Sequence, residues 1–464
     1  MKILVQKFGG TSVATDENRI LAARKVLKAR EAGFAPIVVV SAMGRKGEPY
    51  ATDTLIDLLN SVDKDVKPNK RETDVMMACG EMISSVIFAQ TLKASGCKSI
   101  ALTGGQAGIL TDSEFTDARI MEIRTAYLLS LMEEGIVPVV CGFQGINAPQ
   151  NHVEAHAITT LGRGGSDTTA SALGVALEAI AVEIYTDVNG VKTADPRVVS
   201  HAKTLGICTY QEVAELAHQG AKVVHPRAAE IAMDHDIPLW VKSTFTDEPG
   251  TRITNIKTEG LTSEYQATMA RRLTGIANTG RIAYIRLEIE NSEHKQVVER
   301  EVFRMMAQAG VNIYFVTYSP TALSFAVPRE RYPVARDLLD GMVIPLEHKT
   351  VNAEGKRATY YIFKYQGGLD LAYRVQRPLL KAIESMVSVV DIPSSAIEDC
   401  TTISVVASSH RRVPGIILKI LETLHYAGIH VHQIADSEMS VSCLISETDV
   451  KQAVRLLHDS LFDQ

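Results

Sequence analysis

Three stretches of the chain combine glycines, hydroxyls and charges in a way that suits phosphate: Lys7-Phe8-Gly9-Gly10-Thr11-Ser12, Gly162-Arg163-Gly164-Gly165-Ser166-Asp167 and Thr186-Asp187-Val188-Asn189-Gly190. In the first, Gly9 and Gly10 let backbone N–H groups approach an anion closely, Lys7 adds a mobile point charge, and Thr11 and Ser12 add hydroxyls. A Gly-Gly turn after a strand is more often only a turn, so this stretch carries little by itself. In the second, Ser166 or Asp167 is a natural helix N-cap, yet capping requires neither an arginine nor three glycines. The Arg163 guanidinium offers a fork for a carboxylate, the helix start offers N–H groups to an anion, and Asp167 can orient a lysine or an ammonium. The third continues through Lys192, Asp195-Pro196 and Arg197. It reads either as a hairpin or Ω-type loop, or as a loop that presents a hydroxyl, a carboxylate and a guanidinium to a ligand.

Other chemical groups weigh less. Glu81 sits beside Gly80 among apolar residues, which suggests a semi-buried carboxylate in need of a cationic partner rather than a solvated helix charge. His152 and His156 have the i, i+4 spacing of a metal pair, but they follow Pro149 in a turn-rich stretch without an apparent third ligand, so no metal is assigned. His225, before Pro226, reads as shaping a helix start. Neither the P-loop Gly-x-x-x-x-Gly-Lys-Ser/Thr, nor the dinucleotide Gly-x-Gly-x-x-Gly, nor the protein-kinase motif set occurs.

These groups must be held by a fold, and the pattern of the chain names one. The first 250 or so residues alternate short apolar runs (3–8, 37–40, 99–102, 137–141, 181–185, 238–241) with helical runs at 21–32, 73–95 and 170–179, the second of these long for one helix, with Gly80 as a candidate break. That is an α/β domain with a mainly parallel central sheet, whose ligands gather beyond the carboxyl ends of the strands. After about residue 260 two βαββα series follow, and Ala309-Gly310-Val311 answers Ala427-Gly428-Ile429, an internal repeat of a ferredoxin-like unit. The domains expected are 1–258, 270–344 and 399–464, with 345–398 an insert or linker that fits neither repeat.

With 46% hydrophobic residues and 464 in all, the chain can bury a large core. A net charge of −6 without basic runs argues against nucleic acid or an anionic membrane as partner. Lys2 and Lys7 bracket too few apolar residues for a signal peptide, so a cytoplasmic protein is expected. Six cysteines without a C-x-x-C read as buried thiols.

Taken together, Lys7-to-Ser12, Ser41-Ala42-Met43-Gly44, Gly80-Glu81-Met82-Ile83-Ser84, Gly162-to-Asp167, Thr186-to-Arg197 and Gly220-to-Arg227 stand in an order that resembles the aspartate kinases. The C-terminal repeats resemble the ACT regulatory domains such kinases carry. The resemblance implies an amino-acid-kinase domain that uses Mg2+ and ATP to phosphorylate the β-carboxylate of L-aspartate, opening the route to lysine, threonine and methionine. By the same resemblance Lys7 contacts the transferring phosphoryl group, with Asp167 as its catalytic companion, and Gly9, Gly10 and Ser12 cradle phosphate oxygens. Arg163 grips the substrate α-carboxylate, Glu81 and Asp167 hold its ammonium, and Ser41, Thr52 and Ser166 complete the pocket. Thr186, Asp187, Arg197 and Lys222 hold the nucleotide, together with Lys192, which stands where many relatives have a tyrosine near the adenine. Tyr314 and Tyr318 occupy positions where an Asp and a Gln help bind threonine or lysine in related proteins.

Glutamate is the other acceptor this reading leaves open, since only pocket depth separates it from aspartate; a pair such as Arg163 and Glu81 suits a free α-amino acid better than acetylglutamate or carbamate. A reading of another class makes the chain a catalytically silent amino-acid sensor. ACT-like units bury a face against a twin, so a homo-oligomer, most simply a dimer, is expected, with lysine, threonine or methionine as effector.

Overall fold

The structure is a computed structural model that describes residues 1–63, 65–148, 156–221, 224–255, 273–289, 292–339, 343–346, 359–365, 389–408 and 413–462. Of the readings above, Lys222, His152 and most of the 345–398 segment lie outside these residues.

The N-terminal domain is built on an eight-stranded sheet in the order Ile207–Cys208, Thr251–Ile253, Leu239–Ser243, Ala181–Thr186, Ile3–Phe8, Ala35–Val40, Val137–Cys141, Ser99–Leu102. Every neighbouring pair is parallel except Leu239–Ser243 with Thr251–Ile253. The strands read as near-continuous apolar runs because helices cover both faces. Val38 and Val40 pack with Phe8, Val26, Phe88 and Leu92 on one side. Ile37 and Val39 point the other way, toward Ala170, Leu173, Ile184 and Ala228. This is the period-two alternation of a strand buried twice, each large side chain contributing about 1.5–3 kcal/mol of hydrophobic stabilisation.

The register sets the site. Phe8 is level with Val40 on one side and Tyr185 on the other, and Val40 with Cys141. Gly9, Ser41, Gly142 and Asp187 therefore leave the sheet along one edge, around a first strand from which the strand order runs both ways, the switch point where ligands bind in open α/β sheets.

Lys70–Ala94 is one unbroken helix of 25 residues, capped by Asn69, whose side chain accepts from the Glu72 N–H. The candidate break at Gly80 does not occur. A Cβ there would lie 2.7 Å from Cβ of Ala42 and 3.1 Å from the Tyr50 carbonyl, so glycine serves a close approach and not a kink. By length and hydropathy this helix could cross a membrane, yet it carries the buried carboxylates Asp74 and Glu81 and packs Phe88 and Leu92 into the core. Asp74 accepts from Thr116 N–H, Thr160 N–H and the Thr160 hydroxyl, fastening a four-stranded sheet (Ile120–Ile123, Ile109–Thr111, Gln144–Asn147, Ile158–Thr160) to the helix just before Arg163.

The C-terminal half forms one nine-stranded sheet. Each repeat has its own core, Ile285, Val302 and Phe325 in the first, Ile403, Ile420 and Leu457 in the second. The matching glycines, Gly310 and Gly428, both adopt positive φ just beyond helices Ser292–Gln308 and Ile416–Tyr426. The boundary between units is shared. Val389–Val406 runs through both, pairing with Ile282–Glu288 of the first repeat and Ser440–Ser446 of the second. Gly275–Asn278, expected in the first unit, pairs with Ile403–Val406 and so joins the second. Within the expected insert, Thr359–Tyr365 lies between Val343–Leu346 and Val389–Val406 as part of the same sheet.

Among the described residues the halves are joined by several hydrogen bonds, including one between Ser404 Oγ and Gln219 Oε1 at 2.6 Å. Helix Val450–Phe462 lies on the 193–203 segment, with His458 Nε2 2.9 Å from Thr193 Oγ1, Arg455 Nε donating to Val198 O at 2.8 Å and His201 Nε2 3.1 Å from Asp459 Oδ1. Buried Glu212, which also forms a capping box with Thr209, accepts from the Thr274 and Ser408 hydroxyls at 2.6 and 3.0 Å. All six cysteines are free thiols, five buried as expected and Cys79 half-buried.

Candidate active site

Lys7 reaches the sheet edge from the end of the first strand, and its Nζ lies 2.7 Å from Oδ1 of Asp167. Both side chains are largely buried, so water and salt screen the pair only weakly. Asp167 comes from the helix Gly165–Ala176, whose N-cap is not Ser166 or Asp167, as the sequence suggested, but Gly164 at φ 70° without a side-chain cap. A Cβ on Gly164 would strike the His225 ring, so only glycine passes there. With capping left to the backbone, Ser166 and Asp167 sit inside the first turn and face inward. The Asp167 carboxylate takes Lys7 on one oxygen and the His225 N–H at 3.3 Å on the other. His225 precedes a helix with Pro226 at its start, as expected, and burial lowers its pKa.

Gly9 and Gly10 open a single helical turn, Gly10–Val13. A Cβ on Gly10 would lie 2.7 Å from the Ala42 carbonyl, because the 41–44 loop rests on this turn and Gly44 N–H donates to Gly10 O at 3.1 Å. The Ser12 hydroxyl is fully buried and 2.7 Å from that of Thr244. Its side chain is thus tied to the far strand loop.

The pocket beside Lys7 gathers residues from four segments. Ser41 N–H donates to Phe8 O, and the next residue, Ala42, donates its N–H to Glu81 Oε1 at 2.9 Å. Ser85, one turn on from Glu81, contacts Cys141, and Ser166 packs on Gly142, where a Cβ would lie 2.7 Å from its own. Glu81 is 3% exposed, and among the described residues its Oε2 has no hydrogen-bond partner. Burial pushes its pKa up to about 8, against the Ala42 N–H, its own backbone N–H and the positive charge of Lys7, which pull it down. A second cation near Oε2 would complete this carboxylate. Arg163 is exposed on the turn before Gly164, and Thr52 starts the helix Thr52–Asn60 that packs on Lys70–Ala94.

On the other side of Lys7 the strand Ala181–Thr186 delivers Thr186, whose hydroxyl donates to Asp187 Oδ1 at 3.2 Å. Arg197 is paired with Asp195, Nη2 to Oδ2 at 2.7 Å, and Lys192 Nζ donates to Thr204 Oγ1 at 2.9 Å. The 187–204 stretch is an irregular loop with one antiparallel bridge, Lys192 to Thr204, rather than a hairpin of named strands. Sequence reasoning missed Arg45, whose Nη2 lies 2.7 Å from Asp187 Oδ2. Its one signal was a cation directly after the Ser-Ala-Met-Gly loop.

A parallel sheet with a glycine turn on its first strand and a lysine–aspartate pair at its switch point defines a small-molecule phosphotransferase of the amino acid kinase type. Residues 2–243 match the amino acid kinase family, and residues 395–459 match an ACT domain. Over 459 residues the sequence is 38% identical to aspartokinase 1 of Bacillus subtilis (strain 168), covering 99% of this chain and 98% of that protein. It is 34% identical to an aspartokinase of Geobacillus stearothermophilus, over 99% and 97% of the two. Among solved structures, E. coli aspartokinase III in complex with aspartate and ADP (R-state) shares the fold with a TM-score of 0.69 at 23% identity, over 99% of this chain and 100% of that one. The same enzyme in complex with lysine and aspartate (T-state) gives 0.65 at 24%, over 99% of each chain. The chain belongs to the aspartokinases.

Proposed function

We propose that the chain transfers the γ-phosphoryl group of ATP to the β-carboxylate of L-aspartate, giving 4-phospho-L-aspartate and ADP. The observation that carries this reading, within the family, is Glu81: a buried carboxylate beside Lys7 with one oxygen left for an ammonium. Arg163 then takes the α-carboxylate, with Ser41, Thr52 and Ser166 around the substrate. The β-carboxylate faces Lys7.

An aspartate side chain is already ionised at neutral pH, so its oxygen attacks phosphorus without a general base, and no proton moves. One O–P bond forms as the bond from the γ-phosphorus to the ADP oxygen breaks. The difficulty is to bring two anions together. Lys7 supplies charge where the phosphoryl group transfers, and Asp167 keeps the lysine aimed until the substrates arrive. Gly9 and Gly10 admit the phosphates to the backbone, and Thr186, Asp187, Lys192, Arg197 and Lys222 complete the nucleotide side. Mg2+ fits this chemistry as the partner of the ATP phosphates, where it adds positive charge.

We also propose that the protein is a cytoplasmic homo-oligomer, most simply a dimer through its ACT-like units, and that an end-product amino acid (lysine, threonine or methionine) bound there regulates the cleft. Helix Val450–Phe462 gives a direct route, since it rests on the segment that carries Arg197. A coupling of about 1–3 kcal/mol is the usual scale of such regulation.

The test is ADP release by the purified protein with Mg-ATP and L-aspartate or L-glutamate, repeated with each effector singly and in pairs. Aspartate-dependent turnover is expected. Turnover with glutamate alone would move the acceptor, and none with either would leave a sensor.

A further inference from the structure

Among the described residues, three cations around the nucleotide end of the cleft are parked on carboxylates: Lys7 on Asp167, Arg197 on Asp195 and Arg45 on Asp187. The first two are residues that the family resemblance gives to the nucleotide; the third has no assigned role. We propose that Arg45 is a phosphate-binding residue of the kinase reaction, held by Asp187 while the cleft is empty and exchanged onto the phosphate oxygens of the nucleotide. The inference rests on the kinase reading above.

Position is the first argument. Gly44, at φ 85°, donates its N–H to the Gly10 carbonyl, so Arg45 leaves the chain directly above the glycine turn. Its own N–H is fixed by Glu48 Oε2 at 3.1 Å, and its Nε reaches over the turn to Thr11 Oγ1 at 3.4 Å before Nη2 meets Asp187. The guanidinium thus spans the gap between the end of the first strand and the end of Ala181–Thr186, where the nucleotide is placed. Charge is the second argument. The Arg45 and Asp187 side chains are 67% and 43% exposed, so the pair is screened and weak and gives way to a better partner. A polyphosphate is such a partner, since a planar guanidinium matches two phosphate oxygens at once. Asp187, which also stands near Arg197, is released in the same exchange.

The experiment compares the wild type with Arg45→Ala and Arg45→Lys, titrating each with ADP and with adenosine by calorimetry and measuring ATP and aspartate kinetics. ADP affinity and kcat/KM for ATP are expected to fall about 10- to 100-fold in Arg45→Ala and less in Arg45→Lys, as befits a lost charged hydrogen bond. Adenosine affinity and KM for aspartate should stay within about twofold, because neither reports on phosphate contacts. ADP affinity and kcat/KM within twofold of wild type in Arg45→Ala, in a protein that melts like wild type, would reduce Arg45–Asp187 to a surface ion pair and overturn the proposal. Absence of both ADP binding and aspartate turnover in the wild type would instead overturn the kinase reading and this inference with it.

Discussion

The kinase domain buries four carboxylates among its described residues, Asp74, Glu81, Glu183 and Glu212, whereas the described part of the ACT-like pair, from 273 onward, buries no Asp, Glu, Lys or Arg. The ACT-like units resemble ordinary small α/β modules, with apolar cores and hydroxyls between their strands. Burial of a carboxylate is costly unless hydrogen bonds or charges answer it, and three of the four are answered by protein. Asp74 has three donors, Glu183 has Gln6, Tyr185 and Lys242, and Glu212 has Thr209, Thr274 and Ser408. Glu81 keeps one oxygen without a partner among the described residues. The contrast teaches that burial alone does not mark a working group. The missing partner does.

The most severe way to break the contrast is to remove the charge that the cleft is built around. Lys7→Ala should lower kcat by about 10³-fold, the scale of a lost transition-state charge contact, while circular dichroism shows the fold retained. Activity comparable to wild type would remove Lys7 from the phosphoryl-transfer role.

Glu81→Gln separates function from stability within one side chain. The aspartate KM should rise about 100-fold, since a neutral amide cannot balance a buried ammonium. Stability should move the other way. The folded-state pKa of Glu81 is raised from 4.5 to about 8, so its contribution is fully present below 4.5 and is lost as pH rises through 8. The variant should therefore melt above wild type at pH 8 and the gap should close toward pH 4. In the wild type the same titration should raise KM for aspartate about tenfold per pH unit below 8, a slope that the glutamine variant lacks. A flat wild-type profile would take the ammonium role from Glu81. Arg163→Ala should act on the same substrate more gently, raising KM for aspartate about 10- to 30-fold with KM for ATP unchanged; an unchanged aspartate KM would end the α-carboxylate assignment.

How much of this was legible follows the same divide. Motif residues such as Lys7 and Asp167 could be named because several short stretches of glycines, charge and hydroxyls stand in the order of a known family, and the structure brings that pair together. Apolar periodicity gave both repeats, down to Gly310 and Gly428, because local rules govern strand alternation and helix ends. What escaped depends on contacts between distant segments. Gly80 looked like a helix break, and its reason is the approach of Ala42 and Tyr50. The sharing of Val389–Val406 by two units, and the transfer of Gly275–Asn278 to the second, leave no trace in composition or spacing. Arg45 hid in a loop whose partner is 142 residues away in sequence.

Glu212 tests the contrast where the two regions join. It is a buried carboxylate of the kinase domain whose Oε1 accepts from two hydroxyls of the ACT-like half, Thr274 and Ser408, while Oε2 holds Thr209 in the capping box. Glu212→Gln keeps the shape and one acceptor, but turns the other terminus into a donor that must meet groups now donating to it. Loss of such charge-assisted bonds costs about 1–3 kcal/mol, which should lower the melting temperature by a few degrees. Because no cleft residue is touched, kcat and both KM values without effector should stay within about twofold, while the response to an inhibiting amino acid weakens, the joint being one of the paths between the regions. Reduced melting temperature with an unchanged effector response would assign Glu212 to domain docking alone and leave helix Val450–Phe462 to carry the coupling.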